Sequence, residues 1–223
     1  LFDLDGVLYD APRTGYLEDV KRRQVEFIVE RLGVPRADAP ALQQEAFALA
    51  NQTARGLQRM GFAFESKEFV AYCRQGGAPK YLKPDDEVIE AVRALSVPAL
   101  VFTNTGEREA EVCLECLGLD EPGLFQGIVG SDSYSEPKPN RAAFEVALGR
   151  AGLSLEEAHR AVLFEDSAKN AAAAKSLGLY SVLVTETAER QANVQERAEA
   201  AHAVIDRISI GAIDALGLGL YDA

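Results

Sequence analysis

Tryptophan is absent from this 223-residue chain, methionine occurs once, histidine twice and cysteine three times. Three cysteines cannot build a disulfide framework, and the odd count points to a reducing compartment. Cys113 and Cys116 have CxxC spacing but fall within EREAEVCLECLGL, a helical pattern. No second cysteine or histidine pair stands near them to complete a zinc site. Also lacking is any apolar stretch approaching the roughly 18 residues of a membrane span. Positive charge is scarce too: 23 Lys+Arg stand against 35 Asp+Glu, a net charge of −12. That balance disfavours nucleic acid and anionic membranes as partners. It also repels anions at long range, so any anion site must supply its own positive charge from a metal or a lysine. The expected setting is soluble, intracellular and cytoplasmic. The chain opens at Leu1, already inside an apolar run, which leaves a removed targeting peptide open.

What is present is a 48% hydrophobic content, enough for a sizeable core. Short β-type runs recur at residues 1–5 (LFDLD), 99–104 (ALVFTN), 127–131 (GIVGS), 161–165 (AVLFE) and 180–184 (YSVLV). Helical patterns at 107–117, 141–150 and 168–177 separate the later runs. Such alternation predicts an α/β fold with a parallel sheet covered on both faces, its ligand lying beyond the carboxyl ends of the strands. Residues 11–88 hold no strand-like run. They show helical patterns at 16–32 and 41–60, punctuated by Pro35, Pro40, Gly61 and Gly76-Gly77. A connection that long is improbable as a bare loop, so it is expected to form a small helical domain inserted after the first strand. The expected division is a core of 1–10 and 89–223 and a helical insertion of 11–88. After Glu186 the chain turns alanine-rich and ends in IGAIDALGLGLYDA, with no repeat and no functional signal.

Four polar clusters follow these runs. Asp3 and Asp5 are two apart in LFDLDG; in an extended segment both side chains share a face, and Gly6 then lets the backbone turn. Like charges so close need a cation, a proton or backbone donors between them. Thr103 and Asn104 end the second run, where a hydroxyl and a backbone N–H can cradle phosphate oxygens. Lys138, in SEPKPN, is a cation in a loop stiffened by two prolines. Glu165 and Asp166, in LFEDSAKN, form a second acidic pair. Singly, each has an ordinary explanation: solvated acids, a strand-end hydroxyl, a loop lysine, a helix cap. Together, two acidic pairs on one sheet edge make an oxygen-rich site for a hard cation, and Mg²⁺ suits one that shares a substrate phosphate. A carboxylate can attack phosphorus and split hydrolysis into two displacements, with metal and lysine neutralising the equatorial oxygens.

These four segments resemble the four motifs of the haloacid dehalogenase superfamily, over residue 1 to about residue 184. The resemblance implies a Rossmann-like core with a helical cap after the first motif, hinged near Ala11-Pro12 and Lys83-Pro84. It implies Asp3 as nucleophile and Asp5 as general acid/base, with the Asp5 carbonyl on Mg²⁺. It implies Thr103 as phosphate-binding residue, Lys138 as charge-stabilising lysine, and Glu165 and Asp166 as metal-site acids, Asp166 the direct ligand. Asn170 takes a supporting position. DGVLY, YLKPDDEV, FTN, LFQGIVGSD and EDSAKN further resemble the pyrimidine 5′-nucleotidase-like branch, which implies a nucleoside monophosphate such as UMP or CMP as substrate. Another small ester such as a sugar phosphate is the alternative, and a non-catalytic interaction protein on this fold is the alternative from a different class. Asp5 argues against dehalogenation, which needs no acid/base two residues after the nucleophile. Sugar-phosphate mutases use a cap histidine, and His159 and His202 both lie outside the cap. A phosphonatase needs a cap lysine for a Schiff base; Lys21, Lys67 and Lys80 leave that open. In the cap, Phe62, Phe64, Phe69 and Tyr72 are expected as core rather than pocket lining, and Arg55 and Lys80 as solvated charges or distal anion contacts. Tyr9, close behind Asp3, is expected as a substrate contact, with packing at the cap junction the alternative.

Overall fold

The buried apolar runs pair in parallel, as continuous hydrophobic strands do when helices cover both faces of a sheet. A computed structural model describes residues 1–185 and 199–222. Strand β1 (Val101–Phe102) pairs with β2 (Ile128–Val129), while β3 (Val162–Glu165), β4 (Tyr180–Val184) and β5 (Ala203–Ile205) pair in that order. Residues 1–3 join the two sets, because Phe2 bridges Val101 on one side and Phe164 on the other, both parallel. Phe2 N–H donates to the Leu100 carbonyl at 2.9 Å and Asp3 N–H to the Phe164 carbonyl at 2.9 Å. In chain order the sheet therefore runs 3-2-1-4-5-6. Its topological switch point, where doubly wound sheets bind ligands, lies between residues 1–3 and β3.

The first run is shorter than its sequence suggests. Extended backbone ends at Asp3, because the Leu4 carbonyl accepts from Val7 N–H at 3.3 Å and Leu8 N–H at 3.1 Å. Gly6, at φ +85°, completes that turn in a region costly to any other residue. Asp5 thus sits in a turn, not on a strand face shared with Asp3. The runs at 99–104 and 127–131 likewise shorten to two paired residues each. Helices α8 (Glu107–Leu117), α9 (Arg141–Arg150) and α10 (Ala168–Ser176) fall where their patterns place them. Phe102, Phe144, Leu148, Leu163 and Leu179 share one buried cluster between sheet and helices.

The chain divides into two compact units, 1–13 with 82–223 and Thr14–Tyr81. The boundary expected at 88/89 lies at 81/82 because α7 (Asp86–Arg93) is tied to the sheet unit. Arg207, just after β5, pairs with Asp85 at 2.7 Å and Glu87 at 3.2 Å, and Tyr221 Oη donates to the Ala91 carbonyl at 3.2 Å. The tail is therefore structural: it supplies the edge strand β5 and the short α11 (Ile210–Asp214). Residues 186–198 of the alanine-rich stretch lie outside the described residues. No helix among the described residues is long and apolar enough to cross a membrane.

Short α1 (Ala11–Thr14) leads into the helical unit of α2 (Tyr16–Glu30), α3 (Ala39–Ala50), α4 (Thr53–Arg59), α5 (Ser66–Arg74) and α6 (Ala78–Tyr81). The single helix expected over 41–60 is broken at Asn51, which takes φ +54° as an αL cap. Phe27 is the hub of this unit, with Phe64, Phe69 and Tyr72 edge-on at 5.5, 5.0 and 5.4 Å between centroids. Phe69 is buried, Phe62, Phe64 and Tyr72 are half-buried, Arg55 is half-buried and Lys80 is exposed. Helices α3 and α4 approach so closely that a Cβ on Gly56 would stand 1.9 Å from the Ala46 carbonyl oxygen. Gly56→Ala is expected to destabilise the protein by about 1–3 kcal/mol through overpacking, read as a lower urea midpoint at unchanged m-value.

Candidate active site

Burying an ammonium requires that each of its protons meet an acceptor. Lys138 is 0% exposed and meets three: the Phe102 carbonyl at 2.7 Å, Glu165 Oε2 at 2.7 Å and Asp3 Oδ1 at 3.1 Å. The Phe102 ring lies beneath the same ammonium, 4.8 Å from its centroid. One cation thus draws together the carboxyl ends of residues 1–3, β1 and β3. Its own loop is held as firmly. The Asn104 side chain accepts from Lys138 N–H at 2.9 Å and donates to the Lys138 carbonyl at 3.0 Å. Tyr134 Oη donates to the Thr103 carbonyl at 2.6 Å and lies 3.0 Å from Asn104 Oδ1.

Asp3 is buried, and its Oδ1 accepts from the Lys138 ammonium at 3.1 Å and from Leu4 N–H at 2.8 Å. That leaves Oδ2 as the oxygen turned to other partners. Glu165 is fully buried and engaged at both oxygens: Oε2 holds Lys138, and Oε1 accepts the amides of Asp166 at 3.1 Å and Ser167 at 3.0 Å. Asp166 is half-buried. Asp3, Glu165 and Asp166 each offer an oxygen within 4.8 Å of the others. The Asp5 carboxylate stands outside that trio, accepting from Tyr9 Oη at 2.5 Å and Thr105 Oγ1 at 2.9 Å. Thr103, buried at the end of β1, accepts Thr105 N–H on Oγ1 at 3.1 Å and still has its own hydroxyl proton to donate. Asn170 is buried on α10.

The structure therefore gathers Asp3, Lys138, Glu165, Asp166 and Thr103 at the switch point. It engages the Asn104 side chain in bracing the lysine loop rather than leaving it for a ligand. Two residues of this neighbourhood escape sequence reasoning. Thr105 has only its i+2 spacing from Thr103 as a signal, and Tyr134 has none beyond being an aromatic near Lys138.

Charge at the site is unbalanced: Asp3, Glu165 and Asp166 face one lysine. Burial is the largest cause lifting the Asp3 carboxyl from 3.8 to about 8, with Glu165 and Asp5 adding to it and Lys138 opposing it. Burial likewise raises Glu165, against the pull of Lys138. Burial alone would lower Lys138, but Asp3 and Glu165 outweigh it and hold the ammonium above the ordinary lysine range. An all-oxygen, over-acidic, buried donor set fits a hard divalent cation.

A sequence profile of the haloacid dehalogenase-like hydrolases matches residues 1–178. The chain belongs to that family. Among curated relatives, the validoxylamine A 7′-phosphate phosphatase of Streptomyces hygroscopicus subsp. limoneus is 26% identical over 202 residues, covering 86% of this chain and 87% of its own. The phosphorylated carbohydrates phosphatase of Thermotoga maritima is 26% identical over 193 residues, covering 80% and 81%. Among solved structures, a candidate β-phosphoglucomutase from Thermotoga maritima superposes with a TM-score of 0.63 at 22% identity, covering 98% of both chains. This haloacid dehalogenase-like hydrolase thus shares its Rossmann-like architecture along nearly the whole chain.

Two outcomes follow from the charge and the bracing. Asp3 and Glu165 bind protons more tightly folded than unfolded, so the metal-free protein should lose stability as pH rises from 5 to 8. Thermal unfolding in EDTA should show that decline, Asp3→Asn should reduce it, and Mg²⁺ should stabilise more at pH 8 than at pH 5. Asn104→Ala, which strips the Lys138 backbone of both partners, is expected to cost about 1–3 kcal/mol in urea unfolding.

Proposed function

We propose that this hydrolase removes phosphate from small phosphorylated carbohydrates through an aspartyl-phosphate formed on Asp3. The observation that carries this reading is the pairing of Asp3, oriented by a buried lysine, with a separately held Asp5 two residues on. A dehalogenase needs only the nucleophile. A phosphatase needs a second carboxyl to move protons.

In the proposed sequence, Asp3 Oδ2 attacks phosphorus, the bond to the ester oxygen breaks, and that oxygen takes the proton of the Asp5 carboxyl. Water then attacks the same phosphorus and gives a proton to Asp5. The bond to Asp3 breaks, releasing inorganic phosphate and restoring both carboxyls. Lys138 orients Asp3 and favours its ionised form against burial, Glu165 fixes Lys138, and the Thr103 hydroxyl and Asn104 backbone N–H donate to the phosphoryl oxygens. Asp3, Asp166 and the Asp5 carbonyl would hold Mg²⁺, beside the charge of Glu165, and the ion supplies neutralisation of the phosphoryl charge.

The substrate reading rests on the names of the two curated relatives, both phosphatases of sugar-like phosphates. The second reading, a nucleoside monophosphate, is favoured by the DGVLY, YLKPDDEV, FTN and EDSAKN segments. Phosphate release from a panel of hexose and pentose phosphates, UMP and CMP, with Mg²⁺ or with EDTA, separates the two. A sugar phosphate should give the highest kcat/KM, and UMP or CMP in first place would favour the nucleotidase reading. Asp3→Asn should lower turnover on the order of 10³-fold or more. No metal-dependent turnover, or equal turnover by the variant, would leave a non-catalytic member of the fold.

A further inference from the structure

Tyr9 follows the nucleophile by six positions and is expected from sequence alone to touch substrate, yet its hydroxyl is aimed at a catalytic carboxyl. The turn that begins at Leu4 doubles the chain back, so that Asp5 and Tyr9 pair as a parallel bridge. Tyr9 is buried, and its hydroxyl donates to Asp5 Oδ1 at 2.5 Å. From another part of the fold, 100 residues away in sequence, the buried Thr105 donates to Asp5 Oδ2 at 2.9 Å. Thr105 is itself fixed. Its N–H donates to Thr103 Oγ1 at 3.1 Å and its carbonyl accepts Ser131 N–H at 2.9 Å. A continuous chain of bonds thus runs from the Thr103 hydroxyl through Thr105 and Asp5 to Tyr9.

We propose that Tyr9 and Thr105 are positioning residues for Asp5, clamping one carboxyl oxygen each so that the acid/base meets the ester oxygen in one fixed orientation. The proposal rests on the reading of Asp5 as the proton carrier. Two single donors at the two oxygens remove the freedom of the carboxyl to swing about its last bond, and a carboxyl that swings is rarely in line when the leaving oxygen departs. The chemistry of the clamps suits a group that must exist in two states. A lysine or arginine would donate only, locking the carboxyl ionised. A hydroxyl both donates and accepts, so Tyr9 and Thr105 hold Asp5 as the carboxylate shown and, after rotation of a hydroxyl, as the protonated acid. The competing explanation is that a buried tyrosine has merely found an acceptor for its hydroxyl. That explanation accounts for one clamp and not for the second donor on the opposite oxygen.

The test reads how much each variant depends on a good leaving group. Phenyl phosphate leaves a far more basic oxygen than 4-nitrophenyl phosphate and depends more on proton donation, and kcat/KM reports the step that expels it. With the full chain and Mg²⁺, Tyr9→Phe and Thr105→Val should each lower kcat/KM for phenyl phosphate about tenfold more than for 4-nitrophenyl phosphate, a fraction of the 10²–10⁴ that general acid catalysis supplies. Thr105→Ser, which keeps the hydroxyl, should restore the wild-type ratio. Equal losses on both esters in Tyr9→Phe and Thr105→Val would show packing roles and overturn the proposal. Asp5→Asn distinguishes the two levels. If it skews the ratio while the clamp variants do not, positioning fails and the acid/base reading stands. If Asp5→Asn leaves the ratio unchanged, or the wild type turns over neither ester, the reading of Asp5 fails and the proposal with it.

Discussion

A single ammonium with no access to water is the constraint on which the site depends. Lys138 is held inside only because two carboxylates, a carbonyl and an aromatic face surround it, and leaving a buried charge unpartnered is among the costliest faults a fold can carry. Its partners end three separate segments that lie side by side at the sheet's switch point. Folding the sheet and assembling the site are therefore one requirement: the strand order that places Phe2 between Val101 and Phe164 is also the one that brings Asp3 and Glu165 to the same nitrogen.

This arrangement also divides the four acids by task. Glu165 is saturated by bonds to protein groups, Asp166 remains half-exposed, Asp3 keeps one oxygen clear of its lysine, and Asp5 is turned into a separate pair of hydroxyls. Identical chemistry in the side chains yields different roles because each is surrounded differently. Three acids against Lys138 leave a negative charge that a divalent cation, which fits the donor set, would cancel, easing the approach of a phosphate to so acidic a protein.

Much of this was legible in the chain itself. Continuous apolar runs identify buried parallel strands, and the polar residues just after them converge because a parallel sheet presents all its carboxyl ends on one edge. That logic locates Asp3, Thr103, Lys138, Glu165 and Asp166 without coordinates. It fails where long-range geometry decides. Nothing in residues 1–5 announces that the Leu4 carbonyl starts the turn one residue early. The bracing of the Lys138 loop by the Asn104 side chain is hidden because those bonds cross 34 residues of sequence. The break at Asn51 is a left-handed cap that helical periodicity cannot show. The alanine-rich sequence around β5 has too weak a pattern to reveal a strand there, and it pairs along the edge that β4 offers. Substrate choice was least legible: the motif segments and the names of the curated relatives point to different leaving groups.

The central place of residues 1–3 bears on how the protein is made. Residues 1–3, which carry Asp3, are synthesised before both of their sheet neighbours: Leu100–Phe102 follows about 100 residues later and Phe164 more than 160. At translation speeds of about 5–20 residues per second, this apolar stretch waits many seconds for both of its partners. A compact helical unit, Thr14–Tyr81, emerges in that interval, and its contacts are local and therefore quick to form. The surroundings of Lys138 are therefore complete only once Phe164 and Glu165 have emerged, so the buried ion pair itself marks the closing of the sheet on both sides of residues 1–3.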